Sequence, residues 1–202
     1  DTSLFEAGIV HTYWQSAITF ATGTAPGPMG SAHPLNAPYQ AFETADGWIT
    51  VGAANQANWL KLLEALDSPA LNDDERFATP DGRMKNLAAL TDALTAIFRR
   101  EGSAEWLARL EAVGVPAGPV LDVGQMHRDP QALARGMVAE APHSRLGAVK
   151  TIGPPVKFSE SPAGIARGAP LLGEHTRDVL AEYGYSDAEI DTLINEGAVI
   201  AA

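Results

Sequence analysis

The chain has 202 residues, of which 46% are hydrophobic and 19% are charged, so it is long enough for one or two globular domains. Its formal net charge of −11 argues against a nucleic-acid partner, because phosphate backbones attract positive surfaces. The absence of cysteine excludes disulfides and thiolate chemistry, and it fits a cytoplasmic location.

The first predicted helix covers residues 4–21. Ser3 and Glu6 have the spacing of a capping box, and the apolar residues that follow cover more than one face of the helix. Such a helix must be buried on several sides, so we expect residues 1–22 to belong to a larger domain; an ordinary core helix of a self-contained domain is the alternative. Interrupting polar residues argue against a membrane span, and the lack of a preceding basic residue argues against a signal peptide.

A linker and a hairpin follow this helix. Residues 23–38 contain four prolines and three glycines, a composition typical of a loop. Two β-like runs come next, at 39–44 and 48–53. Asp46 and Gly47 between them are a strong hairpin signal, because glycine accepts the positive φ that the turn requires.

The next helix is predicted at residues 56–66, with Asn55 as its cap. A capped helix start beside small residues leaves backbone N–H groups free to meet an anionic group. We expect Tyr39 and Trp48 to lie in the hairpin core and not in a substrate wall. The apolar residues predicted to be buried by this helix are Trp59, Leu60, Leu62, Leu63 and Leu66.

The rest of the chain is predicted as short elements without internal repeats. A capping box formed by Ser186 and Glu189 opens the last helix. The predicted elements are a polar connection at 67–82 held by Phe77, helices at 85–99, 104–113, 122–128, 173–183 and 187–195, an extended stretch at 115–120, strands at 137–141 and 148–152, and a proline-rich return at 153–170.

Six sequence blocks together carry a family resemblance. They are GSAHPLNAPYQAFETADGWITVGAANQANW (30–59), DDERFATPDGRMKN (73–86), EWLARLEAVGVPAGPV (105–120), DPQALARGMV (129–138), VKTIGPPVKFS (149–159) and APLLGEHTRDVLAEYG (169–184). In this order, and over nearly the whole chain, they resemble the class III CoA-transferases. That family includes formyl-CoA and carnitine CoA-transferases, and α-methylacyl-CoA racemase is a relative.

The resemblance implies an incomplete α/β fold, with a small α+β domain and segments of a larger Rossmann-like α/β domain. Family members form interlocked homodimers, so it also implies a homodimer for the full-length protein. The implied divisions are a large-domain helix at 1–22, a linker and active-site loop at 23–37, a small α+β domain at 38–128, a return linker with short strands at 129–170, and C-terminal helices packing on the large domain at 171–202.

The reaction implied by the resemblance moves CoA between an acyl-CoA thioester and a carboxylic acid through an aspartyl intermediate, with no further cofactor. In the family, the nucleophilic aspartate precedes the segment that begins Asp1-Thr2-Ser3-Leu4. We therefore expect no catalytic residue within this chain and no activity from it alone. An upstream region or a partner subunit would hold most of the CoA phosphates, which agrees with the acidic composition.

The candidate site residues lie in two places. The loop at 30–34 aligns with the glycine loop that closes over the active site in formyl-CoA transferase, so Gly30, Ser31, Ala32 and His33 are predicted to lie close to the substrate. His33 is the one histidine of five in a small-residue loop, from which an imidazole could reach a substrate carboxylate. No pair of histidines has metal-ligand spacing, and we predict no metal site.

The second place is the pair Asn55 and Gln56. Asn55 aligns with an active-site carboxylate of the racemase relative, but an amide cannot act as a general base, which favours the transferase. Three structural alternatives stay open: Asn55 as a helix cap only, the 30–34 loop as a plain linker, and His33 as a surface or inter-domain histidine. At the level of function, a racemase-like isomerase and a non-catalytic α+β binding or assembly module are the alternatives. A serine hydrolase is disfavoured because the G-x-S-x-G motif is missing.

Overall fold

A computed structural model describes residues 1–161 and 163–202. It consists of two compact units, Asp1–Val120 and Leu121–Ala202. The helices and small sheets confirm the mixed α/β class expected from the sequence. The assignment of particular segments to a large and a small domain stays a prediction.

The first unit contains helices and one three-stranded sheet. Its elements are α1 (Leu4–Val10), α2 (Tyr13–Thr22), β1 (Tyr39–Glu43), β2 (Trp48–Gly52), α3 (Gln56–Ala65), α4 (Ala70–Asp73), α5 (Pro80–Lys85), α6 (Leu87–Phe98), α7 (Ser103–Ala112) and β3 (Ala117–Pro119).

The single helix predicted at 4–21 is two helices, because the chain breaks at Thr12. The Thr12 hydroxyl donates to the carbonyl oxygen of Ile9 at 2.7 Å and bonds the Ser16 hydroxyl at 2.8 Å, a local side-chain arrangement that bends helices. Neither helix has a buried residue: Leu4 is 94% exposed and Phe20 is 86% exposed. The apolar faces of α1 and α2 are therefore not part of the core of this unit.

The sheet is antiparallel with the order β1-β2-β3. The predicted hairpin of β1 and β2 is confirmed. The extended stretch predicted at 115–120 supplies the third strand, β3. Tyr39 and Trp48 are about half-exposed, so their predicted place in the hairpin core is wrong. Side chains alternate between the faces of a strand, and Ile49 is the neighbour of Trp48 that points into the core.

The core lies between this sheet and helices α3, α6 and α7, and it includes the aromatic cluster of Phe42, Phe98 and Trp106. Leu60 was expected to be buried but is about half-exposed, because it lies at the margin of the buried face that Trp59, Leu62 and Leu63 form. The other predicted residues of this helix that are buried are Leu62, Leu63 and Leu66.

The segment between α3 and α6 is more helical than predicted. The predicted polar connection contains α4 and the start of α5, and Phe77 is buried there as expected. The Thr79 hydroxyl caps α5 by accepting from the Gly82 N–H at 3.1 Å, and Pro80 occupies the first turn. Asn86 then separates α5 from α6, where one helix had been predicted at 85–99.

The second unit contains a hairpin and short helices. The capping box of Ser186 and Glu189 is present, and it opens the last helix at the predicted residue. The Glu174 carboxylate accepts from the Leu171 N–H at 2.6 Å, so a turn precedes the helix predicted at 173–183. The elements are α8 (Val123–Met126), α9 (Pro130–Ala134), β4 (Val138–His143), β5 (Gly147–Ile152), α10 (Thr176–Glu182) and α11 (Asp187–Asn195).

Asp46 connects the β1–β2 turn to the start of α7. Its carboxylate accepts from the Ser103 N–H at 2.8 Å and from the Thr44 hydroxyl at 3.1 Å. The Gly102 at the N-cap of α7 has no side chain of its own to offer, so Asp46 supplies the cap. Hydrogen bonds from Ser103 hold the pKa of Asp46 below its usual range.

We predict a pH-dependent effect of the substitution Asp46→Asn. Because the pKa is lower in the folded than in the unfolded state, the carboxylate stabilises the fold above the unfolded value of 3.8, and this contribution is lost as the pH falls through the folded pKa. The difference in free energy of unfolding between wild type and variant should therefore be largest near neutral pH and shrink in acid. Urea unfolding from about pH 7 to about pH 3 measures it.

The control is Asp92→Asn, which changes an exposed carboxylate on α6. If the difference in free energy of unfolding between wild type and Asp46→Asn stays constant over the whole pH range, the lowered pKa of Asp46 is wrong.

Candidate functional site

The loop at 30–34 is fixed on the free edge of β1. This strand lies at the edge of the sheet, so its outward N–H and C=O groups need partners. The Ala41 N–H donates to the Ser31 hydroxyl oxygen at 3.0 Å, and the His33 N–H donates to the Tyr39 carbonyl oxygen at 2.9 Å. Gly30 has a φ of 61°, a left-handed conformation that glycine adopts without strain. The loop is therefore an ordered extension of the sheet edge.

His33 lies between two aromatic side chains. Its ring centroid is 5.7 Å from that of Trp14, in an edge-on arrangement, and 5.2 Å from that of Tyr39. The Tyr39 ring in turn covers Gly52 so closely that a Cβ atom there would lie 2.8 Å from the ring carbon Cε2. The half-buried imidazole is thus held in one orientation by packing on both sides.

The backbone also selects the tautomer of His33. The Leu35 N–H lies 3.1 Å from Nδ1 and can only donate, so Nδ1 is the acceptor. A neutral imidazole with an accepting Nδ1 carries its proton on Nε2. In this arrangement His33 offers an N–H donor, and it has no free basic nitrogen on the Nδ1 side.

A cavity of about 450 Å³ lies beside the loop. Ser31, Ala32 and His33 line it together with Tyr39 and Gln40. None of the described residues in its lining carries a carboxylate, and its polar groups are an imidazole, hydroxyls and an amide. These groups can donate hydrogen bonds to a carbonyl or carboxylate oxygen, and a nucleophilic carboxylate is not among them.

Asn55 and Gln56 do not line this cavity, and their side-chain oxygens have local partners. The Asn55 side-chain oxygen accepts from the Asn58 N–H at 2.8 Å, which makes it the N-cap of α3. Gln56 donates from Nε2 to the Ala78 carbonyl oxygen at 3.1 Å, and its Oε1 accepts from Arg83 at 3.0 Å. The structure thus brings Ser31, Ala32 and His33 together, while Gly30, Asn55 and Gln56 lie outside the cavity lining.

Sequence reasoning missed Arg83. This guanidinium is 0% exposed and lies 4.8 Å from the ring centroid of Trp59. Desolvation lowers its pKa, although a guanidinium keeps its charge in proteins. A charged residue is normally expected at the surface, so the sequence carried no signal for this burial.

The described residues contain no group of three or more His, Cys, Asp or Glu side chains that could hold a metal ion. In the same part of the chain, each helix is too short or too polar to cross a bilayer.

Comparison with known proteins assigns the family. The model of CoA-transferase family III matches residues 1–176. Human succinyl-CoA:glutarate CoA-transferase is 37% identical over 84% of this chain and 39% of its own length. The acetyl-CoA:oxalate CoA-transferase of Acetobacter aceti is 32% identical over 94% of this chain and 48% of its own length.

Solved structures agree with this result. A CAIB/BAIF family protein from Brucella suis superimposes with a TM-score of 0.74 and 36% identity, over 85% of this chain and 44% of that chain. A protein from M. tuberculosis, at 23% identity and a TM-score of 0.71, shares the fold.

The chain belongs to CoA-transferase family III. This confirms the resemblance seen in the sequence blocks. The chain spans less than half the length of these curated relatives, 39% of the human enzyme and 48% of the Acetobacter enzyme.

We predict that Asn55→Ala lowers the free energy of unfolding by about 1 kcal/mol, because it removes the side-chain cap of α3. Asn55→Ser should keep most of the stability, since serine caps helices equally well. Urea unfolding of both variants measures the effect. Equal stability of wild type and Asn55→Ala would show that the bond to Asn58 contributes nothing to the fold.

Proposed function

We propose that this chain is the C-terminal portion of an enzyme that moves CoA from an acyl-CoA thioester to a carboxylic acid. Family membership supports the reaction class. The relatives named above pair succinyl-CoA with glutarate and acetyl-CoA with oxalate, so the acceptor class proposed here is a short dicarboxylic acid. CoA is a substrate of this reaction, and no further cofactor is required.

The proposed chemistry uses an aspartate outside this chain. Its carboxylate oxygen forms a bond to the acyl carbon while the C–S bond breaks, giving a mixed anhydride and a CoA thiolate. The thiolate then attacks the aspartyl carbonyl, which forms the enzyme thioester and releases the donor acid as a carboxylate. The acceptor acid reverses both steps and leaves as the new acyl-CoA.

One observation carries the placement of the nucleophile. A nucleophilic aspartate needs a desolvated site, but no Asp or Glu is buried among the described residues. The buried polar side chains in this part of the chain are Thr44 and Arg83. A further requirement, a hydrogen-bond donor for the developing oxyanion, is available from Nε2 of His33.

We propose that the acyl or acid end of the substrate lies in the cavity beside His33. Tyr39 and Trp14 hold the imidazole in place. In the assembled enzyme the loop at 30–34 would shield this end of the substrate from water. Ser31 holds the loop on β1, Gly30 and Ala32 flank it within the loop, and Asn55 and Gln56 form the start of α3.

The exposed apolar faces of α1 and α2 support a larger assembly. Leu4, Phe5 and Phe20 are each more than three-quarters exposed, a cost that a covering partner would remove. The proposed partner is the aspartate-bearing region of an interlocked homodimer. A full-length monomer at micromolar concentration by light scattering would contradict this assembly.

Two alternatives are less well supported. A racemase-like isomerase would need a base where Asn55 stands, and an amide oxygen that caps α3 cannot take that role. A non-catalytic binding module could also use the His33 donor, but the relatives named above are transferases. An activity measurement separates the module from the transferase.

We predict that the 202-residue chain alone does not exchange acyl groups between succinyl-CoA and glutarate or oxalate, whereas an enzyme in which it follows an aspartate-bearing region does. In that enzyme, His33→Ala should lower kcat/KM about a hundredfold, because a lost hydrogen bond to a developing oxyanion costs about 3 kcal/mol. Thioester exchange followed by chromatography measures both.

His127→Ala, in the second unit, is the matched histidine control and should leave kcat/KM unchanged. Exchange by the 202-residue chain alone would overturn the placement of the nucleophile. An unchanged kcat/KM in His33→Ala would show that His33 takes no part in transfer and that the loop at 30–34 is a plain linker.

A further inference from the structure

The buried guanidinium of Arg83 joins three segments that are distant in sequence. Its Nε donates to the Ala37 carbonyl oxygen at 2.9 Å, and its Nη1 donates to the Phe77 carbonyl oxygen at 2.9 Å and to the Gln56 side-chain oxygen at 3.0 Å. Ala37 ends the segment that carries the loop, and Gln56 is the first residue of α3. Because the guanidinium is planar and rigid, these acceptors are fixed relative to one another.

The charge of Arg83 has no carboxylate partner among the described residues. The salt bridges in this part of the chain involve other arginines and a lysine, and the acceptors of Arg83 are uncharged oxygens. Its Nη2 is buried without a hydrogen-bond partner there. Burying a charge in this way costs free energy, which the hydrogen bonds of Arg83 and its stacking on Trp59 offset in part; an apolar side chain would avoid the cost but would leave the Ala37 and Phe77 carbonyl groups without this donor. The arginine therefore bears a desolvation cost while it fixes hydrogen bonds between separate segments of the unit.

The segments that Arg83 holds lead directly to both parts of the candidate site, which are the loop at 30–34 and the start of α3. Pro38, next to Ala37, accepts from the Ala53 N–H at 2.9 Å, which ties the loop segment to the chain just before α3. Tyr39 follows directly, and its carbonyl oxygen holds the His33 N–H. On the other side, Gln56 is bound at the N-terminus of α3, whose first turn contains no acidic residue.

We infer that Arg83 is a positioning residue for the transfer site. It sets the position of the His33 loop relative to the start of α3 by holding Ala37 and Gln56 with one side chain. Arg83 does not touch the substrate and acts through these two residues. The inference rests on the proposed function for its catalytic consequence, while the coupling of the two segments is independent of it.

The first test measures amide hydrogen exchange in Arg83→Lys and Arg83→Met. Lysine keeps the positive charge but lacks the planar set of guanidinium N–H donors, and methionine fills a similar volume without a charge. In both variants, protection of the His33 and Ala53 amides should fall at least about tenfold more than protection of the Leu94 amide in the α6 core. Arg76→Lys is the matched control, because Arg76 is exposed and binds Asp74 within the same connection.

The second test measures transfer by the aspartate-bearing enzyme. Arg83→Lys should lower kcat about tenfold or more while the KM for the acyl-CoA stays near the wild-type value, since the residue orients the loop and does not bind CoA. If the Arg83 variants fail to fold, Gln56→Ala removes one of the bonds and should show the same local loss of protection at Ala53.

The outcomes separate the inference from the proposed function. A uniform loss of protection at His33, Ala53 and Leu94 would show that Arg83 merely stabilises the unit, and the inference would be wrong. A local loss without any transfer activity in the unmodified enzyme would contradict the proposed function and support the coupling. A local loss with an unchanged kcat would show that the coupling has no effect on catalysis, and would overturn the inference.

Discussion

The free edge of β1 is the constraint on which the candidate site depends. An edge strand must satisfy its outward backbone groups, and here the Ser31 hydroxyl and the His33 N–H meet that need. Once these bonds form, the imidazole falls between Trp14 and Tyr39 and its tautomer is set by the Leu35 N–H. The orientation of a potential oxyanion donor thus follows from ordinary sheet-edge hydrogen bonding.

The parts of the fold that are predicted correctly are those that carry a local turn or capping signal. Asp46-Gly47 marked the hairpin, and Ser186 marked the start of the last helix, because turn and capping chemistry act within a few residues. The wrong predictions concern residues whose burial depends on the tertiary fold. Leu60 and Trp48 are apolar but about half-exposed, and residue type alone does not distinguish an exposed apolar side chain from a buried one.

The start of α5 also carries a local signal in the sequence. Thr79 followed by Pro80 is a helix-start pattern, so α5 could have been found within the predicted connection. The His33 loop was identified through the family resemblance, but its edge contacts with β1 were not. Arg83 could not have been found from the residues alone, because its role depends on acceptors at Ala37 and Gln56 that only the tertiary fold brings together.

The loop chemistry has a consequence for how the site excludes water. A run of glycines would be mobile, whereas the His33-Pro34 pair within this loop combines edge hydrogen bonds with a ring that fixes φ. The edge hydrogen bonds and the proline ring restrict this loop, so less conformational entropy would be lost when the proposed site is occupied. The loop also has less freedom to swing away during product release. In the proposed enzyme, a pre-ordered loop would leave the control of access to other parts of the protein, and the His33 donor would stay in place through each step of the proposed transfer.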